Sequence, residues 1–263
     1  MLRRIERRMS LQEISSLQDY AALLQKDKHE PKALLKDLLI SVTNFFRDPE
    51  AVEALAATVV PAILQRKDEN DFLRVWVAGC ATGEEAYSIA MVLSEALLSI
   101  RRHPQIQIFA TDLDAEAIGR AREGFYSEGE VSDVSPERLR RFFLREPEGY
   151  RIRREIRELV LFAVHNLTKD PPFSHLDLIS CRNVLIYLNR TAQSRALEVM
   201  HFALNSGAYL FLGSSEWTEA ATDLFSIVDK ENHIFQSRPV PTRAILPLAE
   251  IALKTPSLPW LER

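Results

Sequence analysis

The stretch Val75-Trp76-Val77-Ala78-Gly79-Cys80-Ala81-Thr82-Gly83-Glu84-Glu85-Ala86-Tyr87-Ser88 constrains this chain more than any other. A β-branched apolar run breaks into a turn with two glycines and then into an acidic helix start, the opening of a strand-turn-helix unit. Gly79 and Gly83 carry no Cβ, so the turn can take positive φ and press close to a neighbour. Units of this kind place a ligand crevice at the carboxyl edge of a parallel sheet.

From Leu73 onward, strand-like and helix-like segments alternate, with strands read at 73–78, 106–111, 160–164, 176–181, 208–213, 224–228 and 233–236. Alternation of that sort predicts an α/β, doubly wound domain. The stretch from about Gly124 to Glu158 is too long for a simple crossover. Within it Pro136 to Phe143 reads as a helix, and Tyr150-Arg151-Ile152-Arg153 followed by Leu159-Val160-Leu161-Phe162 reads as a hairpin, so an inserted subdomain is expected over about 124–158. Upstream, Ile5, Met9, Ile14, Leu17, Leu23, Leu24, Leu34, Leu35, Leu38 and Leu39 recur at helical intervals. They predict a small helical domain over 1–48, with Pro31 in the first turn of its last helix. Asp48-Pro49 breaks the pattern and opens a new helix toward Val60. The main domain is expected over 49–238, and Pro239, Pro241, Pro247, Pro256 and Pro259 make 239–263 a linker-like tail.

The acids of the glycine turn select among cofactors. A pyrophosphate favours a helix N-terminus free of negative charge, whereas Glu84 and Glu85 occupy this one and no P-loop lysine follows. The glycines also miss the G-x-G-x-x-G spacing of a dinucleotide site, which disfavours a dehydrogenase. S-adenosylmethionine fits better, because its sulfonium, ammonium and ribose hydroxyls all favour nearby acceptors. The second strand ends in Thr111-Asp112-Leu113-Asp114, which places Asp112 to accept from ribose hydroxyls. Its alternative is a helix cap, and for Asp114 the cap is the preferred reading.

A net charge of −4 and a pI near 5.9 give no case for nucleic-acid binding. The 46% apolar residues suffice for a full core, yet no stretch approaches a membrane span and the arginine-rich start lacks a signal-peptide core, so a cytoplasmic protein is expected. Cys80 and Cys181, each ending an apolar run, fit reduced, buried thiols. The six histidines are not at metal-ligand spacing, so no metal site is expected. Arg3, Arg4, Arg7 and Arg8 gather positive charge on one side of the first helix; this is either a steering patch for an acidic partner or an ordinary solvated face.

Several separate segments together resemble the CheR chemotaxis-receptor methyltransferases in order and spacing. They are Leu38 to Pro49 with its T-N-F-F-R core, A-G-C-A-T-G-E-E, Ala110 to Asp114, His165-Asn166-Leu167, Ser180 to Tyr187 with C-R-N-V-L-I-Y, and Tyr209 to Glu216. The phrasing Lys169 to Asn183 is most similar to CheR modules of large multidomain signalling proteins. The resemblance implies a class I S-adenosylmethionine-dependent methyltransferase fold with a mostly parallel seven-stranded sheet, a small N-terminal helical domain and an inserted small β-subdomain. It also implies methyl transfer to glutamates on the cytoplasmic helices of methyl-accepting chemotaxis receptors, with S-adenosylhomocysteine as product and other domains of a parent protein as possible partners. Carried over by motif, Ser41, Thr43, Arg47, Gly79, Glu84 or Glu85, Asp112, Asn166, Leu167, Arg182 and Asn183 bind the cofactor, and Arg47 and Tyr187 lie nearest the methyl. Two departures stand out: Ala86 replaces a frequent proline, and Ser41 replaces a frequent asparagine, which bears on cofactor affinity.

A glutamate carboxylate, with a reference pKa of about 4.3, needs no general base. Methyl transfer neutralises an anion and a sulfonium, so a closed, aligned pocket is the main device. Arg47 therefore reads as a positioning group, because a tight ion pair would also stabilise the ground state. Tyr187 reads either as a hydrogen-bond donor or ring beside the sulfonium, or as a core aromatic. A cofactor-binding scaffold without transfer activity, or a carboxyl methyltransferase with a partner outside chemotaxis, are the competing functions.

Overall fold

The computed structural model describes residues 2–38, 43–100, 103–216 and 223–239. The Pro-rich tail from residue 240 and the motif residue Ser41 lie outside them. The chain divides into two compact units, Met1–Thr43 and Asn44–Arg263.

The first unit holds α1 (Leu2–Leu11), α2 (Leu17–Lys26) and α3 (Glu30–Leu38). Its helices meet around a buried carboxylate as well as around apolar side chains. Glu30 accepts from Arg8 Nε (3.0 Å) and Nη2 (2.6 Å), Gln12 Nε2 (2.8 Å) and the Tyr20 hydroxyl (2.7 Å). The Arg8 hydrogen bonds hold the Glu30 carboxyl below its usual range, while burial pushes the Tyr20 phenol up to about 12. This corrects the expected four-arginine stripe: Arg8 turns inward to Glu30, and Arg4 donates to the Asp37 carbonyl at 2.7 Å.

The second unit begins with α4 (Pro49–Ala54), a π-helical turn (Leu55–Val59) and α5 (Val60–Leu64). Pro61 cannot donate to the helix and would crowd the carbonyl four residues back, and the widened turn just before it relieves that conflict. Then follow β1 (Phe72–Ala78), α6 (Glu84–Leu97), β2 (Gln105–Asp112), α7 (Ala115–Glu123), β3 (Phe125–Tyr126), α8 (Pro136–Phe142), β4 (Phe143–Glu146), β5 (Gly149–Ile152), α9 (Arg154–Arg157), β6 (Val160–Val164), β7 (Leu176–Cys181), a 3₁₀ turn (Leu185–Tyr187), α10 (Arg190–Ala203), β8 (Leu204–Leu212), β9 (Phe225–Asp229) and β10 (Ile234–Ser237).

Seven strands form one sheet in the order β6-β2-β1-β7-β8-β10-β9, parallel through β8, with β10 antiparallel to β8 and to β9. The strand reversal between β1 and β7 creates the topological switch at which such sheets bind ligands. Along β1 the side chains alternate between two apolar layers: Val75 and Val77 pack with α4 to α6, and Trp76 and Ala78 with α10. Both cysteines are free, buried thiols. β8 starts at Leu204 rather than at 208; Gly207 (φ +76) carries the chain through an irregular register that the polar Asn205-Ser206-Gly207 disguises as a turn.

The inserted segment forms a second, antiparallel sheet in the order β3-β5-β4. The expected hairpin is corrected here. The Tyr150 strand pairs with Phe143–Glu146, whereas Val160–Val164 joins the main sheet beside β2. The short helix α9 separates the two segments by more than a tight turn, and Val160 and Phe162 find their buried face against the main sheet.

Candidate active site

The glycine turn leaves β1 and is stitched to β2: Gly79 N and Cys80 N both donate to the Thr111 carbonyl, at 2.7 and 2.9 Å. At Gly79 (φ +75) a Cβ would stand 2.2 Å from Val184 Cγ2, so the space the glycine leaves is occupied by the loop after β7. Close approach is thus required, but to the protein's own chain. Ala81, also at positive φ, donates its N–H to Asp112 Oδ2 at 2.9 Å.

Asp112, at the tip of β2, accepts on its other oxygen from Asp114 N at 2.9 Å. One carboxylate thereby joins the two neighbouring loops while remaining half-buried, with a second lone pair on each oxygen for an incoming donor. Asp114 caps α7, accepting from Glu116 N and Ala117 N, as expected from the sequence.

The two acids of α6 separate. Glu84 turns into the protein, accepts from the Thr82 hydroxyl on both oxygens, and is pushed up to about 7 by burial. Glu85 faces the site. Its Oε1 accepts from the Ser180 hydroxyl at 2.6 Å, and its Oε2 lies 3.6 Å from Arg182 Nη1. Burial raises the Glu85 carboxyl above its ordinary value, against the lowering effects of Arg182, Ser180 and the nearby charge of Arg47.

Arg182 follows β7 and is the centre of this edge. Its side chain is 2% exposed, with Nη2 2.6 Å from Asp48 Oδ2 and the guanidinium 4.6 Å over the Phe211 ring. Asp48 sits in the left-handed region, just after Arg47, and the preceding Phe45 and Phe46 anchor this segment. Phe45 packs edge-on to Tyr126 and Phe143, and Phe46 N donates to Ser88 Oγ of α6. On the flank of Arg182 a cavity of about 400 Å³ is bounded by Asp48, Glu50, Ser214, Glu231 and His233.

The remaining residues fall into two groups. Asn183, at φ +59, and Tyr187, 42% exposed, lie on the same loop as Arg182. Asn166 and Leu167 follow β6: the Asn166 side chain accepts from Thr168 N and Oγ1, shaping its own turn, and Leu167 packs against the layer containing Trp76. Thr43 closes the first unit rather than belonging to the second. Glu216, given no role from sequence, accepts four backbone N–H groups beneath the Asn183–Tyr187 loop. In the sequence it shows as the acid that ends the Tyr209–Glu216 segment, three residues after Gly213.

This edge suits a donor that is cationic at one end and polyhydroxylated at the other. Asp112 offers acceptors at the β2 tip and Glu85 offers them beside Ser180 and Arg182, while the buried Asn183 Oδ1 and Arg182 Nε have no hydrogen-bond partner among the described residues. Buried polar atoms of that kind call for a ligand or water. A pyrophosphate fits poorly, because Glu84 and Glu85 fill the first turn of α6.

Comparison with known proteins agrees with this chemistry. Residues 41–234 match the SAM-binding domain of the CheR methyltransferases and residues 1–39 match their all-alpha domain. The chain is 44% identical to an uncharacterized 104.1 kDa protein from the hypE 3′ region of Rhodobacter capsulatus, over 89% of this chain but only 25% of that protein. It is 37% identical to the putative methyltransferase Cher3 of Pseudomonas putida, over 82% of this chain and 81% of that one. To the chemotaxis protein methyltransferase of Escherichia coli it is 34% identical, over 81% and 74% respectively. With both family domains matched across residues 1–39 and 41–234, this chain belongs to the CheR methyltransferase family.

Proposed function

We propose that this chain, in the cytoplasm, methylates glutamate side-chain carboxylates of methyl-accepting chemotaxis receptors, forming γ-glutamyl methyl esters. The supporting observation is the pairing, at one carboxyl edge, of the acceptors Glu85 and Asp112 with the buried Arg182, next to the exposed Tyr187. S-adenosylmethionine supplies an electrophilic methyl group and leaves as S-adenosylhomocysteine. Asp112 takes the ribose hydroxyls, Glu85 the ammonium, and Asn183 a further donor of the same ligand; Asn166 and Leu167 border the base.

No proton has to move on the acceptor, because a glutamate is already ionised near neutral pH. The protein's task is to align, to dehydrate and to avoid pairing the nucleophile too tightly. Arg182 is paired with Asp48 and Glu85, and Arg47 and Tyr187, the residues that the family motifs put nearest the methyl, orient the incoming carboxylate. Incubation with labelled S-adenosylmethionine and receptor-bearing membranes should give a base-labile label on receptor-sized bands. A base-stable label, or none, would reject ester formation.

One observation favours a second reading for the partner. The chain spans a quarter of the R. capsulatus relative, so a module of this kind can reside in a longer chain and act within its signalling assembly. A label that appears on a protein other than a chemoreceptor would select that reading.

A further inference from the structure

Burying a carboxylate is costly unless hydrogen bonds replace its water. Glu216 is 3% exposed and has four such bonds. Oε2 accepts from Asn183 N (2.8 Å) and Gly213 N (2.9 Å), and Oε1 from Leu185 N (2.6 Å) and Ile186 N (3.4 Å). Three of those N–H groups belong to the loop that carries Asn183 and Tyr187. That loop has left β7, so its N–H groups have no strand to pair with and require another acceptor.

The approach is tight by construction. A Cβ on Gly213 would lie 2.8 Å from Asn183 N and 2.9 Å from Glu216 Oε2, so the end of β8 needs a glycine for the carboxylate to reach the loop. Glu216 is itself tethered, through its N–H to the Gly213 carbonyl (2.9 Å) and its carbonyl to His233 Nδ1 (2.7 Å). The clamped turn buries Leu185 and leaves Ile186 and Tyr187 facing outward.

We propose that Glu216 is a positioning residue for methyl transfer, its carboxylate fixing the backbone of 183–186 so that Tyr187 is held over the acceptor site. This rests on the reading of Tyr187 given above. A glutamine at 216 keeps one acceptor oxygen and turns an NH₂ toward backbone donors, breaking the bonds on one side while preserving shape. Displacement of a reacting group by about 1 Å can cost about 100-fold.

The test is a double-mutant cycle on initial rates of receptor methylation, using wild type, Glu216→Gln, Tyr187→Phe and the double variant, all confirmed folded by thermal melting. Glu216→Gln should lower kcat about 100-fold in the wild-type background and less than about threefold in the Tyr187→Phe background, since residues acting as a unit are not additive. Equal losses in both backgrounds, the mark of a merely structural carboxylate, would overturn the proposal, as would an unchanged kcat in Glu216→Gln. Full activity of Tyr187→Phe would instead remove the role of Tyr187 and the proposal with it. If Glu216→Gln does not fold, Gly213→Ala takes its place in the same cycle, with the same two outcomes, because its Cβ spreads the clamp without deleting the charge.

Discussion

The two sides of the carboxyl edge are held by different means. On the β1/β2 side, Gly79, Cys80, Ala81 and Asp114 are fixed by backbone groups and a short acid within one βαβ unit. On the β7/β8 side, the N–H groups of a loop with little regular structure meet one carboxylate 30 to 33 residues away, and Gln193 Nε2 donates to the Leu185 and Leu188 carbonyls. Local bonding makes the first side a stable floor. The second side depends on side chains distant in sequence, and it carries the residues proposed above to face the reacting groups.

The largest effect should fall on the seam between the sides. Gly79→Ala adds a methyl at positive φ and within 2.2 Å of Val184 Cγ2, so it should cost about 3 kcal/mol in chemical denaturation. Val184→Ala in the same chain should recover part of that loss; no recovery would mean that the two sides are not packed through this contact. Next, Arg47→Ala should lower kcat about 100-fold, while calorimetry still detects cofactor binding. A variant that transfers at the normal rate would remove Arg47 from the site.

Glu84 and Glu85 sharpen the contrast within a single helical turn. Burial holds the Glu84 pKa near 7 against an ordinary 4.5, so the folded state retains a proton that the unfolded state has lost and stability falls as pH rises between these values. Glu84→Gln should therefore gain on wild type by roughly 2 kcal/mol from pH 4.5 to 7 in urea melts, after loss of one Thr82 hydrogen bond. A pH-independent difference would contradict the burial. The smallest effect belongs to the floor: Asp114→Ala should cost about 1 kcal/mol as a lost cap and leave kcat unchanged.

The same division explains what the sequence discloses. The β1 turn, the Asp112 tip and the Asp114 cap are legible because a few consecutive residues determine them. The choice of Glu85 over Glu84 is not, since adjacent helix positions differ only in what the tertiary fold puts beside them, here Ser180 and Arg182 against Thr82. Arg8 reads as surface charge until α3 brings Glu30 to it. The Tyr150 strand has two suitable partners in sequence, and α9 decides between them. Glu216 is an ordinary acid by composition; only the unpaired N–H groups of a distant loop give it work.

The central claim is that the donor lies between the two sides and touches both. Calorimetric titration of S-adenosylhomocysteine into wild type, Asp112→Ala and Asn183→Ala tests it directly. The account predicts one binding site per chain, weakened at least about tenfold by either substitution, the scale of a lost charge-assisted hydrogen bond in a partly buried site. Affinity that survives both changes intact would contradict it.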